Sequence, residues 1–130
     1  MPAIEDKLAE MGHTLPPAFD YPSPNRTGCV VAGRLVFVSG HPPPADFGVP
    51  LHGKVGDAVS EADAVAAARA TALSMLASIK REIGDLDRIQ RVVKLFGMVN
   101  TAPGFNRQFA VIDGASNLYL ELFGTEAGCH

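Results

Sequence analysis

The stretch from Ser60 to Gly84, SEADAVAAARATALSMLASIKREIG, constrains this chain more than any other. Val65, Ala68, Ala72, Leu76, Ile79 and Ile83 recur at intervals of three and four, the spacing that lines side chains along one face of an α-helix. Ser60 can cap the first turn, and Asp63 stands where a capping-box acid belongs. Glu61 places negative charge at the positive end of the helix macrodipole, and Gly84 follows the last apolar residue as a stop signal. The opposite face carries Arg69, Lys80, Arg81 and Glu82, a pattern that predicts solvent. Such a helix needs a second layer to cover its apolar stripe.

The flanking sequence supplies that layer. Residues 28 to 39, GCVVAGRLVFVS, contain two β-branched runs around Ala32-Gly33-Arg34, which predicts a hairpin with glycine in the turn. After Gly84 and a short Asp-Leu-Asp turn, residues 89 to 100, IQRVVKLFGMVN, read as the next strand. The loop NTAPG then opens a second helix, in which Phe105, Phe109, Ile112, Ser116, Tyr119 and Phe123 share a face and Gly124 follows. A short third strand is expected near Val55. The order β-β-(β)-α-β-α implies a βαβ crossover, hence an α+β or α/β two-layer sandwich. Residues 1 to 24 read as an arm, with an amphipathic piece from Ile4 to Met11 and prolines at 16, 17, 22 and 24 that forbid a longer element; residues 25 to 130 read as one domain. Only GTEAGCH follows the second helix, where a further strand would normally begin, so the sheet is expected either to keep a bare edge or to belong to a fold longer than these residues.

Several function classes are disfavoured. The apolar run after Ser60 is broken by Arg69 and Lys80, so a membrane span is not expected. The amino terminus, MPAIEDKLAEMG, lacks the basic start and apolar middle of a secretory signal, and a cytoplasmic location is the expectation. Cys29 and Cys129 are too few for a disulfide framework. A net charge of −3 leaves nucleic-acid binding to a local patch, and Arg88, Arg91 and Lys94 alternate with apolar residues as on a solvated strand.

The candidate motifs thin out on inspection. GVPLHGKV, residues 48 to 55, imitates a phosphate-binding loop, but Val55 has no hydroxyl for Mg²⁺ and Pro50 interrupts the loop. No histidine pair has the helical spacing of metal ligands, so no metal is expected. LVFVSGHPPP ends a strong strand on Ser39-Gly40-His41, a place where ligands commonly meet backbone. Asp113 precedes Gly114, whose missing side chain leaves room for a close approach.

These pieces together resemble a known family. RTGCVVAGRLVFVSGHPPP is similar to the strand pair of the reactive intermediate/imine deaminase (RidA, or YjgF) family, whose pattern there is aromatic-x-Ser-Gly-Gln-x-Pro. The segment from Gly53 through Asn100, with NTAPGF and VIDGASNLYLELFG, resembles the branch with a longer amino-terminal arm. The resemblance implies an α+β, chorismate-mutase-like fold, with a homotrimer built around a barrel of sheets and ligand pockets at the subunit interfaces. It puts Ser39, Gly40, His41 and Asp113 in the ligand pocket, His41 where glutamine is commoner and Asp113 where asparagine is commoner. It also implies two final strands and an arginine that grips a substrate carboxylate, which belong after the second helix and have no counterpart up to His130, so no catalytic residue is assigned. The implied activity is hydrolysis of enamine or imine intermediates to 2-keto acids and ammonia without a cofactor. The alternatives are a non-catalytic small-molecule binder and, third, an endoribonuclease or translation inhibitor. An alanine at Ser39 is expected to weaken ligand binding more than folding.

Overall fold

The computed structural model describes residues 3–130. The elements are α1 (Ala3–Glu10), β1 (Cys29–Ala32), β2 (Leu35–Val38), α2 (Glu61–Ile83), a 3-10 turn at Leu86–Arg88, and α3 (Gln108–Gly128). The fold is α+β, with the β1–β2 hairpin and the segment 89–100 on one side of the packed helices α2 and α3.

Helix α2 forms where its local signals put it. Ser60 Oγ accepts from the Asp63 N–H at 3.1 Å, and the Gly84 N–H donates to Lys80 O at 2.7 Å with φ of 85°. That left-handed end is one glycine adopts without steric cost. Its middle is buried on more than one face, with Ala70, Leu73 and Ala77 covered as well as Ala72 and Leu76. The charged face leaves Arg81 and Glu82 exposed, as expected, and it also holds the arm. Lys80 pairs with Glu5 at 2.9 Å and Arg81 with Asp20 at 2.9 Å, while Arg69 reaches both Glu121 at 3.0 Å and His13 Nε2 at 3.2 Å. By length and a mean hydropathy of 1.2 over its most apolar window, α2 would suffice to cross a membrane, and its place at the centre of the core accounts for that composition.

The hairpin pairs Cys29 with Val38 and Ala32 with Leu35 in antiparallel register, closed by Gly33-Arg34 with Gly33 at φ of 61°. A two-residue loop with a positive-φ glycine first matches the right-handed twist of its strands. In α3 the expected face is displaced. Val111, Ala115, Leu118 and Leu122 are buried together with the expected Tyr119, whereas Phe109 is exposed and Ile112 and Phe123, half-buried, border a groove. The two helices touch at Gly114, where any Cβ would run into the Val65 carbonyl oxygen, so a side chain there would push them apart. Gly124 breaks the helical path, as its position predicted, but one more turn follows it to Gly128.

Residues 89–100 depart from expectation. They join no ladder among the described residues. Their main-chain bonds lie near the ends: Val92 N–H to Ala127 O at 2.7 Å, and Val55 N–H to Asn100 O at 2.9 Å. Val55 also bridges Thr101 and Val59, which is all that the expected third strand amounts to. The residue types are those of a strand, yet a strand is defined by its partner, and β2 stands across a groove rather than alongside.

Candidate functional site

That groove encloses about 1570 Å³. Its floor includes Leu76, Ile79, Ala115 and Tyr119, and its walls are β2 with the loop after it and residues 88–100. Arg34, Arg88, Arg91 and Lys94 border it, and no carboxylate does among the described residues. In a chain of net charge −3 this collects positive potential at one place, which favours an anionic occupant. A smaller cleft of about 430 Å³ lies between Leu15–Ala18 of the arm and Ala77, Lys80 and Arg81; it holds no nucleophile or general base.

The corner Ser39-Gly40-His41 lies on the groove wall where β2 ends. Its side chains turn back into the protein. Ser39 Oγ donates to Thr27 O at 2.5 Å, and the Ser39 N–H to Gly28 O at 2.9 Å, so the serine extends the hairpin's closure by one residue. The His41 ring has Nδ1 2.7 Å from Ser39 O and Nε2 2.7 Å from Ser78 Oγ. A carbonyl can only accept, so Nδ1 carries the proton, and Nε2 accepts from the Ser78 hydroxyl. Tyr21, from the arm, donates to Gly40 O at 2.5 Å and lies edge-on to the His41 ring, with centroids 5.8 Å apart. Burial pulls the His41 pKa below the ordinary 6.5, with the bond to Ser39 O opposing; burial likewise raises that of Tyr21.

This corner sits close on α2 because of two small residues. Gly28 has no Cβ, and one built there would stand 2.8 Å from Ser78 Oγ. Next to it, the Cys29 thiol donates to Ser78 O at 3.4 Å, and burial pushes its pKa up, which makes it a packing group rather than a nucleophile.

Asp113 lies elsewhere. It is exposed on α3, outside the groove lining, and Gly114 beside it admits the backbone of α2. The structure therefore brings Ser39, Gly40 and His41 together and leaves Asp113 apart. Two residues at the corner, Tyr21 and Ser78, escaped the sequence reading. Ser78 left a signal: with Ser74 it forms a serine pair four residues apart inside an apolar run, and a buried hydroxyl needs a partner. Tyr21, in a proline-rich arm, left none. No group of three or more His, Cys, Asp or Glu side chains that could hold a metal occurs among the described residues.

Comparison with known proteins adds an independent line. A family model described as "YjgF/chorismate_mutase-like, putative endoribonuclease" matches residues 5–130. Protein TCP17 of Trypanosoma cruzi is 41% identical over 127 residues, covering 98% of this chain and 79% of its own. Among solved structures, Atu1372 from Agrobacterium tumefaciens, described as of unknown function, superimposes with a TM-score of 0.86 at 40% identity, over 97% of this chain and 76% of its own. A Shewanella oneidensis MR-1 protein described as a "putative endoribonuclease" gives a TM-score of 0.89 at 30% identity, over 98% and 83%.

Proposed function

This chain belongs to the YjgF/chorismate-mutase-like family, and from that premise we propose that it hydrolyses reactive enamine and imine acids of the 2-aminoacrylate type to 2-keto acids and ammonia. The observation that carries this reading is the strand-end corner Ser39-Gly40-His41, a rigid, uncharged wall of an apolar groove bordered by cations. In the reaction, 2-aminoacrylate tautomerises to its imine; water adds to the protonated C=N carbon, and the carbinolamine collapses to release ammonia and leave the keto group. The protonated imine is already electrophilic, so the step as written needs no cofactor. Arg34, Arg91 and Lys94 would concentrate the anionic substrate, and the corner backbone would orient it.

The proposal includes assembly as a homotrimer and action in the cytoplasm, where reactive enamines leave pyridoxal-phosphate dehydratases. Assembly is supported by exposed apolar side chains on β2 and residues 93–98, Leu35, Phe37, Val93, Phe96 and Met98, the last at 87% exposure, which a partner subunit would cover.

The test is the rate of 2-keto acid formation from dehydratase-generated 2-aminoacrylate. Acceleration in proportion to protein concentration is the expected result; a folded chain that leaves the spontaneous rate unchanged refutes the activity. A second reading, a non-catalytic binder of small 2-imino or 2-keto acids, draws on a specific feature: the Ser39 hydroxyl and both His41 nitrogens are engaged internally, which leaves no side chain of the corner free to move a proton. Saturable keto-acid binding without turnover would select it.

A further inference from the structure

We infer that Ser78 and Tyr21 are positioning residues that act through the strand-end corner: Ser78 donates to Nε2 and so favours the neutral His41 ring whose proton Ser39 O holds on Nδ1, and Tyr21 clamps the Gly40 carbonyl. The inference deepens the reading above, because it assigns the means by which the pocket wall is kept rigid and uncharged.

The geometry is closed on both sides. Ser78 is 1% exposed in the C-terminal part of α2, and its hydroxyl reaches one ring nitrogen, Nε2, at 2.7 Å. The other nitrogen reaches back two residues to Ser39 O at 2.7 Å, so the ring bridges α2 and the corner and cannot flip without losing both bonds. From the arm, Tyr21 Oη bonds Gly40 O at 2.5 Å. The groups facing His41 are therefore Tyr21 from the arm, Ser78 from α2 and the Ser39 carbonyl from its own loop, with Phe19 beside the ring. Arg81 and Glu82 act on the neighbouring Cys29, and no carboxylate contacts the imidazole among the described residues. A charged imidazole would thus be half-buried without a counter-ion, and Ser78 would have to reverse its hydrogen bond to meet it.

A buried serine that merely filled space would leave the ring's titration untouched, and that separates the two roles. Long-range ¹H–¹⁵N spectra of the full chain read the His41 tautomer directly. We expect the Nδ1–H form at neutral pH. In Ser78→Ala the neutral ring should stay in the Nδ1–H form, because Ser39 O still accepts from it, but the His41 titration midpoint should rise by roughly half to one pH unit, the shift that loss of one hydrogen bond to the neutral ring produces. Ser78→Thr, which keeps the hydroxyl, should restore the midpoint. A parent ring in the Nε2–H form, or a folded Ser78→Ala with the midpoint unchanged, overturns the role of Ser78; the parent spectrum decides even if the variant does not fold. For Tyr21, Tyr21→Phe should speed exchange of the Gly40 and His41 amides several-fold while leaving the tautomer in place, and unchanged exchange removes it. These readouts need no substrate, so absence of turnover alongside the expected spectra would sink only the deaminase reading.

Discussion

Helix α2 has two unlike sides. On one, Leu8 is buried in the main core cluster, and the arm is fastened by Lys80–Glu5, Arg81–Asp20 and Arg69–His13 contacts. On the other, Met75, Ile79 and Ile83 look into a groove whose walls have unpaired main chain. The side that carries the arm is the one whose charges predicted solvent, and Arg81 and Glu82 do stay exposed there. The apolar side, which predicted burial, is the one left partly open. Charge on a helix face therefore reports what can be solvated or paired; the neighbouring chain decides which, and long lysine and arginine stems can serve as a floor for an arm while their heads find acids.

The comparison can be broken at its centre first. Leu76, 1% exposed, belongs to both sides, and Leu76→Ala should cost about 2–5 kcal/mol through lost burial and a cavity, read as a fall in the denaturation midpoint. Next comes the groove wall. A Cβ at Gly40 meets nothing within 4 Å, so Gly40→Val should keep the thermal midpoint while lowering turnover or keto-acid affinity about tenfold, roughly 1.4 kcal/mol; equal activity would remove the corner from the site. Ser39→Ala now carries the opposite expectation to the sequence reading: since its hydroxyl bonds Thr27 O, the loss should be about 1 kcal/mol of stability, with ligand affinity nearly unchanged. On the covered side, Glu5→Gln should change stability by no more than about 1 kcal/mol in a thermal scan, because the Lys80 pair is partly solvated.

Acidity sharpens the contrast further. His13 is held below its ordinary pKa by burial and Arg69, with Glu121 opposing, and His41 by burial. For both, the unfolded chain binds the proton more tightly than the folded one, so their contribution is full above about 6.5 and shrinks as pH falls below it. Asp87, which accepts from the Ile4 and Ala3 amides at the start of α1, is shifted below the usual carboxylate range by those bonds, so its contribution persists further and fades only as pH drops below about 3.8. Amide exchange followed against pH should therefore show the corner loosening near neutrality and α1 releasing only in acid; the reverse order would contradict both assignments.

What could be read from the sequence shares a physical trait. Ser60 reaches Asp63, Gly84 reaches Lys80, and Gly33 closes a two-residue loop: each contact spans four residues or fewer, so the sequence contains both partners in one window. The family resemblance likewise rested on ordered runs of residues, and the α+β fold it implied is the one found. The sequence by itself therefore determined the helices, the hairpin and the serine-glycine corner.

Tertiary structure decided the rest, because the deciding partners lie far along the chain. Residues 89–100 have the composition of a strand, but pairing depends on what lies beside them in space, and β2 lies across the groove. The face of α3 that is buried depends on where Gly114 lets α2 approach, so aromatic spacing alone found Tyr119 and Phe123 but misplaced Phe109 and missed Val111, Leu118 and Leu122. Tyr21 and Ser78 meet the corner across 19 and 37 residues. At such separations no local pattern selects the contact; the packing of the arm and α2 against the hairpin does, and it turns His41 from a loop histidine into a neutral bridge.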